Sequence, residues 1–189
     1  MKGWLCRLNR RLRKYLYERL VQETGPNVIW GGDRIELSGG RQSDAGGGLW
    51  IGEDTHIYNG CRLMVDIVSP ASAIRIGARC AINYDAYFDG SGGIQMGDDC
   101  LLGPRVSIFS SNHGFESVCG LIREQPKSFS RVEIGDNVWI GAHVVILAGS
   151  RIGSNCVIAA GSVVKGELSS GAIYGGVPVK LIRRIDGYH

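Results

Sequence analysis

The chain has no Cys-x-x-Cys pair and no uninterrupted apolar run near the roughly 20 residues that a membrane-spanning helix needs. The first absence removes the commonest zinc and dithiol motifs, the second a spanning helix. No G-x-x-x-x-G-K-[ST] loop and no G-x-G-x-x-G after a strand is found, so phosphate binding by those devices is not indicated. Charge of one sign is also lacking: 21 Lys+Arg stand against 18 Asp+Glu. Residues 1–23 hold seven of those cations and two of the anions, leaving fourteen against sixteen for the rest. The body of the chain therefore lacks the basic face of a nucleic-acid-binding domain. Arginines thread the first 20 residues, with no apolar stretch followed by a small-residue cleavage site, so the start does not read as a secretory signal and the expected location is cytoplasmic.

What is abundant is glycine, 29 residues against 5 prolines, without the G-X-Y period of collagen. With 189 residues, 44% apolar and 21% charged, the chain is one ordinary domain able to bury a substantial core, and its glycines must serve turns.

Self-similarity shows which turns. From Ile134 the chain reads IGDNVW, IGAHVV, ILAGSR, IGSNCV, IAAGSV, VKGELS, so that Ile134, Ile140, Ile146, Ile152, Ile158 and Val164 recur every six residues. Weaker triplets precede them at Ile51, Ile57 and Leu63, at Ile76, Ile82 and Phe88, and at Met96, Leu102 and Ile108. A period of six matches neither a helix at 3.6 nor a simple strand at 2. It matches a coil with three short flat sides, each aliphatic residue pointing to the axis and a turn-tolerant residue following it. Stacked coils would give every side a parallel sheet. The predicted fold is all-β, a parallel β-helix prism whose handedness the period does not give.

Cys61, Cys80, Cys100 and Cys156 each fall four places after a predicted core residue, in the slot that Thr55, Ala86, Val106, Val138, Val144, Ser150 and Ser162 fill elsewhere. They read as compact filler inside the prism rather than as metal ligands or disulfide partners. The register breaks over 109–131, FSSNHGFESVCGLIREQPKSFSR, a polar excursion long enough to be functional, and more briefly at the SPASA of 69–73. Residues 1–24 read as a basic amphipathic helix, with Trp4, Leu5, Leu8, Leu12, Tyr15, Leu16 and Leu20 at helical spacing. Such a helix would pack on the prism or on a neighbouring subunit, or lie peripherally on the inner face of a membrane through residues 1–23. The expected organisation is that helix, a β-helix over 25–178, and a short C-terminal helix and tail over 179–189.

VEIGDNVWIGAHVVILAG, AGSVV, GGVPVKLI and the SSNHGF loop together resemble the hexapeptide-repeat acyltransferases, within them the sugar O-acetyltransferase branch. The likeness covers about residues 74–185 well and the N-terminal third poorly. It implies a left-handed β-helix, a homotrimer with active sites between subunits, acetyl-coenzyme A as donor, a saccharide acceptor and no metal. Acetyl transfer from a thioester has a good leaving group, a thiol of pKa ~8.5, so the difficulty lies in removing the proton of the attacking hydroxyl. Histidine suits that task near neutral pH, and His113 matches the family's catalytic base. His56 and His143 fall at outward-facing coil positions, where a solvated ring is the default.

The resemblance further maps Trp139, Gly141, Ala142, Ala159, Ala160 and Gly161 beside the pantetheine arm, with the N–H of Gly141 or Ala142 as an oxyanion donor, and Lys165, Lys180 and Arg183 near the phosphates. Tight coil corners explain the same glycines without any ligand. INYDAYFD resembles the stretch that orients the acceptor, which puts Asn83, Asp85 and Asp89 in that role with one residue of spacing out of step. Three other functions stay open: N-acetylation of an amino sugar, a non-enzymatic scaffold, and a trimeric zinc hydratase. The last lacks its closely spaced histidine pair here.

Overall fold

The computed structural model describes residues 21–30, 36–38, 48–65, 72–117 and 119–187. Within them the chain winds as a left-handed parallel β-helix, one short strand of every coil lying on each of three flat sides. The first side stacks Gly48–Ile51, Ala73–Ile76, Ile94–Met96, Val132–Ile134, Arg151–Ile152 and Glu167–Leu168. The second stacks His56–Ile57, Ala81–Ile82, Leu101–Leu102, Trp139–Ile140, Val157–Ile158 and Ala172–Gly175. The third stacks Arg62–Met64, Tyr87–Asp89, Ser107–Phe109, Val145–Ile146 and Val163–Val164.

The six-residue ladder forms the core as expected: Ile134, Ile140, Ile146, Ile152, Ile158 and Val164 are each at most 3% exposed. Successive coils place like on like, Leu102 over Ile140 over Ile158, so burying one aliphatic residue completes the pocket of the next. The small slot is buried throughout, and its polar members bring their own partners, Thr55 Oγ1 donating to the Gly77 carbonyl at 2.9 Å and Ser150 Oγ to that of Val164 at 3.2 Å. Cys61, Cys80, Cys100 and Cys156 are free, buried thiols. Burial pushes the Cys61 thiol up to about 11 and raises that of Cys156.

Where a glycine follows the aliphatic residue, as at Gly103 and Gly141, stacking requires it. A Cβ on Gly141 would lie 2.6 Å from the backbone N of Ala160, and one on Gly103 at the same distance from that of Ala142. Further into the corners a residue with positive φ completes the bend: Asp54, Arg79, Asp99, Asn137 and Asn155 between the first and second sides, Asp85, Arg105 and His143 between the second and third.

Two expectations meet a different outcome. Val21–Thr24, expected at the end of the N-terminal helix, is a strand paired in parallel with Gly48–Ile51; the rest of that helix lies outside the described residues. Lys180–Arg184, expected as a C-terminal helix, is a strand running antiparallel to Ala172–Gly175. The last coil leaves a row of unpaired N–H and C=O groups, and this segment satisfies them by folding back along the edge. The excursion at 109–131 has internal order: Ser111–Asn112 pairs antiparallel with Ser128–Phe129, and a 3-10 turn spans Ile122–Glu124.

Candidate active site

The hairpin rises from the corner between the third and first sides, and its base is built from buried polar groups. Ser110, fully buried, donates its hydroxyl to the Asp89 carbonyl at 2.5 Å and accepts the Gly92 N–H at 2.8 Å. The Ser130 N–H returns to the Ser110 carbonyl at 2.9 Å, tying the second leg to the first. His113 follows directly on the first leg. Its side chain is exposed and makes no hydrogen bond among the described residues.

The proposed cofactor residues gather elsewhere, on the second side and its corner with the third. The Gly141 N–H donates to the Ile158 carbonyl at 2.8 Å and the Gly161 N–H to the Ala142 carbonyl at 2.9 Å. The N–H groups of Ala142 and Ala160, one above the other in adjacent coils, donate to nothing among the described residues. Gly141 is thus unavailable as an oxyanion donor, while Ala142 is available. Gly161, at φ +71°, has no atom within 4 Å of where a Cβ would stand, so the corner is open beside this pair. Ala159 sits beside Gly175 under Ile182. His143 occupies the same corner, at φ +58° with an exposed ring, and its N–H is engaged by the Pro104 carbonyl at 3.0 Å.

Trp139 is 57% exposed on the outer face of the second side. Together with Asn137, Asn155, Val157 and Asp186 it lines a groove of about 280 Å³ closed on one edge by the C-terminal segment. Lys180 pairs across from Gly175 and so stands at the Ala142–Ala160 corner, whereas Arg183 pairs across from Ile173, in the Trp139 row. Lys165 lies at the opposite corner, after Val163–Val164. All three cations are exposed and form no ion pair among the described residues.

The candidate acceptor residues are separated by the third side. Asn83 and Asp85 precede the strand Tyr87–Asp89 and Asp89 ends it. Asn83 Oδ1 caps the Tyr84 N–H at 2.9 Å, and Asp85 meets Arg105 Nε at 3.7 Å. Asp89 is 8% exposed and both of its oxygens are engaged: Oδ1 accepts the Ser91 N–H at 3.1 Å and the Ser91 hydroxyl at 2.5 Å, Oδ2 the Ser111 hydroxyl at 2.5 Å. Ser91 and Ser111 were not legible as site residues. The only signal for them is the run of small polar residues flanking the register break. No cluster of metal-ligating side chains is found among the described residues.

Residues 131–166 match the family described as bacterial transferase hexapeptide (six repeats). The chain is 35% identical over 119 residues to the galactoside O-acetyltransferase of Escherichia coli strain K12, covering 62% of this chain. It spans 57% of the length of that relative. Among solved structures it is similar to AntD, an N-acyltransferase from Bacillus cereus in complex with dTDP and 3-hydroxybutyryl-CoA, with TM-score 0.74, 23% identity and coverage of 92% of this chain and 88% of that one. It is also similar to a maltose O-acetyltransferase from Clostridium difficile 630, with TM-score 0.59, 24% identity and coverage of 96% and 85%. These two likenesses establish the fold.

Proposed function

We propose that the protein is an acetyl-CoA-dependent O-acetyltransferase acting on a saccharide hydroxyl. The observation that carries the reading is the complementarity of two prism edges: an unengaged imidazole at one, and a stacked pair of unengaged N–H groups beside an open corner at the other. Similarity to a galactoside O-acetyltransferase over 62% of the chain supports the choice of acceptor class.

Within one chain the two edges are separated by the width of the third side, so the reading requires His113 of one copy to face the Ala142–Ala160 corner of another. A closed ring of three copies repeats that contact at every interface. In it His113 accepts the proton of the attacking hydroxyl as the oxygen adds to the thioester carbonyl. Ala142 donates its N–H to the developing oxyanion. The donor's thioester supplies the leaving thiolate, and the His113 imidazolium returns the proton as the C–S bond breaks, so that the base is regenerated. Ala160 and the open space at Gly161 accommodate the pantetheine arm, Trp139 covers it, and Lys180 and Arg183 of that copy, with Lys165 of the copy that supplies His113, meet the phosphates. Asn83 and Asp85 orient the acceptor. The reaction needs no metal.

The test is thiol release from acetyl-CoA with a panel of hydroxyl and amino sugars, including a galactoside and maltose. His113→Ala should lower turnover by about 10²- to 10⁴-fold with coenzyme affinity retained. Turnover equal to that of the wild type eliminates the base, turnover only on amines reassigns the acceptor, and a monomer by light scattering removes the shared site.

A further inference from the structure

We propose that Asp89 is a positioning residue: through Ser111 it fixes the direction in which His113 leaves the prism, and it is not a ligand of the acceptor. The inference rests on the reading of His113 as the base.

Asp89 ends the strand Tyr87–Asp89 at the corner from which the hairpin departs, and it is 8% exposed. An acceptor hydroxyl needs a carboxylate oxygen that is open to it. Here three donors already converge, the Ser91 N–H at 3.1 Å and hydroxyl at 2.5 Å on Oδ1, and the Ser111 hydroxyl at 2.5 Å on Oδ2. No cation pairs with this buried side chain among the described residues, so those hydrogen bonds are what satisfies its oxygens. A carboxylate suits the place because it is acceptor-only, whereas an amide would turn two donors of its own toward one of the hydroxyls.

The backbone around it is arranged to the same end. The turn from Asp89 to Gly93 closes on both legs of the hairpin. A Cβ on Gly92 would collide with the Ser110 carbonyl oxygen and stand 2.8 Å from the Ser130 nitrogen. Asp89 therefore holds the first leg by a side chain at Ser111 and by its carbonyl at Ser110, with the second leg bound to the first. His113 is two residues beyond Ser111, a reach of at most about 7 Å of chain. A base must come within about 2.6–3.2 Å of the atom that bears the proton it takes, and a misplacement near 1 Å can lower the rate about 100-fold. Among the described residues the contact between Asp89 and Ser111 is the last side-chain hydrogen bond before the imidazole.

The experiment compares Ser111→Ala, Ser111→Thr and Asp89→Asn in the full-length protein, with acetyl-CoA and a saccharide that the wild type acetylates. The expected result is a kcat about 10- to 100-fold lower for Ser111→Ala and Asp89→Asn, with KM for acceptor and coenzyme within about twofold of wild type, and kcat largely restored in Ser111→Thr. An acceptor KM raised tenfold or more with kcat retained in Asp89→Asn would overturn the proposal. So would an unchanged kcat in Ser111→Ala. Amide hydrogen exchange tests the clamp without any acceptor: exchange across residues 111–129 should quicken in Ser111→Ala while the coil amides stay protected, and unchanged exchange there counts against it. Failure of the proposed function looks different, because it appears as full turnover in His113→Ala or as no transfer by the wild type, with the exchange result still standing.

Discussion

The N–H of Gly141 donates to the carbonyl of Ile158 at 2.8 Å, and the N–H of the next residue, Ala142, donates to nothing among the described residues. One peptide unit thus separates a group that holds two coils together from a group that is free for chemistry. The same step recurs one coil on, where Ala159 donates to Tyr174 at 2.8 Å and the Ala160 N–H donates to nothing among the described residues.

Ala142→Pro isolates that free N–H. Pro104 occupies the equivalent corner position one coil earlier, preceded by Gly103 as Ala142 is preceded by Gly141, so the backbone there accepts the ring. The variant should keep its melting temperature within a few degrees while transfer falls about 10²- to 10³-fold, as for the loss of one oxyanion donor. Unchanged turnover in a folded Ala142→Pro protein would show that the oxyanion is met elsewhere.

Gly141→Ala should behave in the opposite way. Its Cβ would stand 2.6 Å from the Ala160 nitrogen and 2.9 Å from the Ile158 carbonyl oxygen, and neither backbone atom can move without parting the coils. A loss of about 1–3 kcal/mol is expected from urea denaturation. Gly161→Ala, in open space at φ +71°, should cost only about 1 kcal/mol, from backbone conformation alone.

Trp139→Ala removes a large side chain that is already 57% exposed. Stability should stay within about 0.5 kcal/mol of wild type. Coenzyme A affinity by isothermal titration should fall about tenfold, the loss of one aromatic contact of roughly 1.4 kcal/mol. Full affinity would remove Trp139 from the coenzyme site.

Burial holds the Cys61 thiol neutral up to about pH 11, while in the unfolded chain it ionises near its ordinary value of 9.0. Between those values the folded state binds the extra proton, so this contribution to stability is complete below about pH 9 and is lost as pH rises through 11. Denaturation midpoints should decline across that window, and Cys61→Ala, which places in the slot the side chain that Ala86 already carries, should flatten the decline. Below pH 9 the exposed Cys119 should react with iodoacetamide far faster than the buried Cys61, Cys100 or Cys156. Equal reactivity of Cys61 and Cys119 in the folded protein would contradict its burial.

The period of six carried the core and the slot beside it, since Ile140 and Cys156 each face inward for a reason contained in their own hexapeptide. KLIRR carried no such reason. It is a strand because the edge of Ala172–Gly175 offers it hydrogen bonds, and that edge is the end of a stack assembled from the whole chain. The INYDAYFD stretch marked Asp89 only as an acceptor candidate, but its use depends on Ser111, which lies beyond a full coil and reaches it only when the coils are stacked.

By itself, then, the sequence determined the coil, its inward ladder, the glycines that let coils touch and the place where the chain leaves the prism, because each is decided by steric and hydrophobic preferences acting within about six residues. Only the tertiary structure decided which N–H groups are free, which carboxylate is occupied, and that the imidazole and its candidate partners stand on different edges. Those properties belong to contacts between residues one or more coils apart, and a contact between coils has no signature within either one.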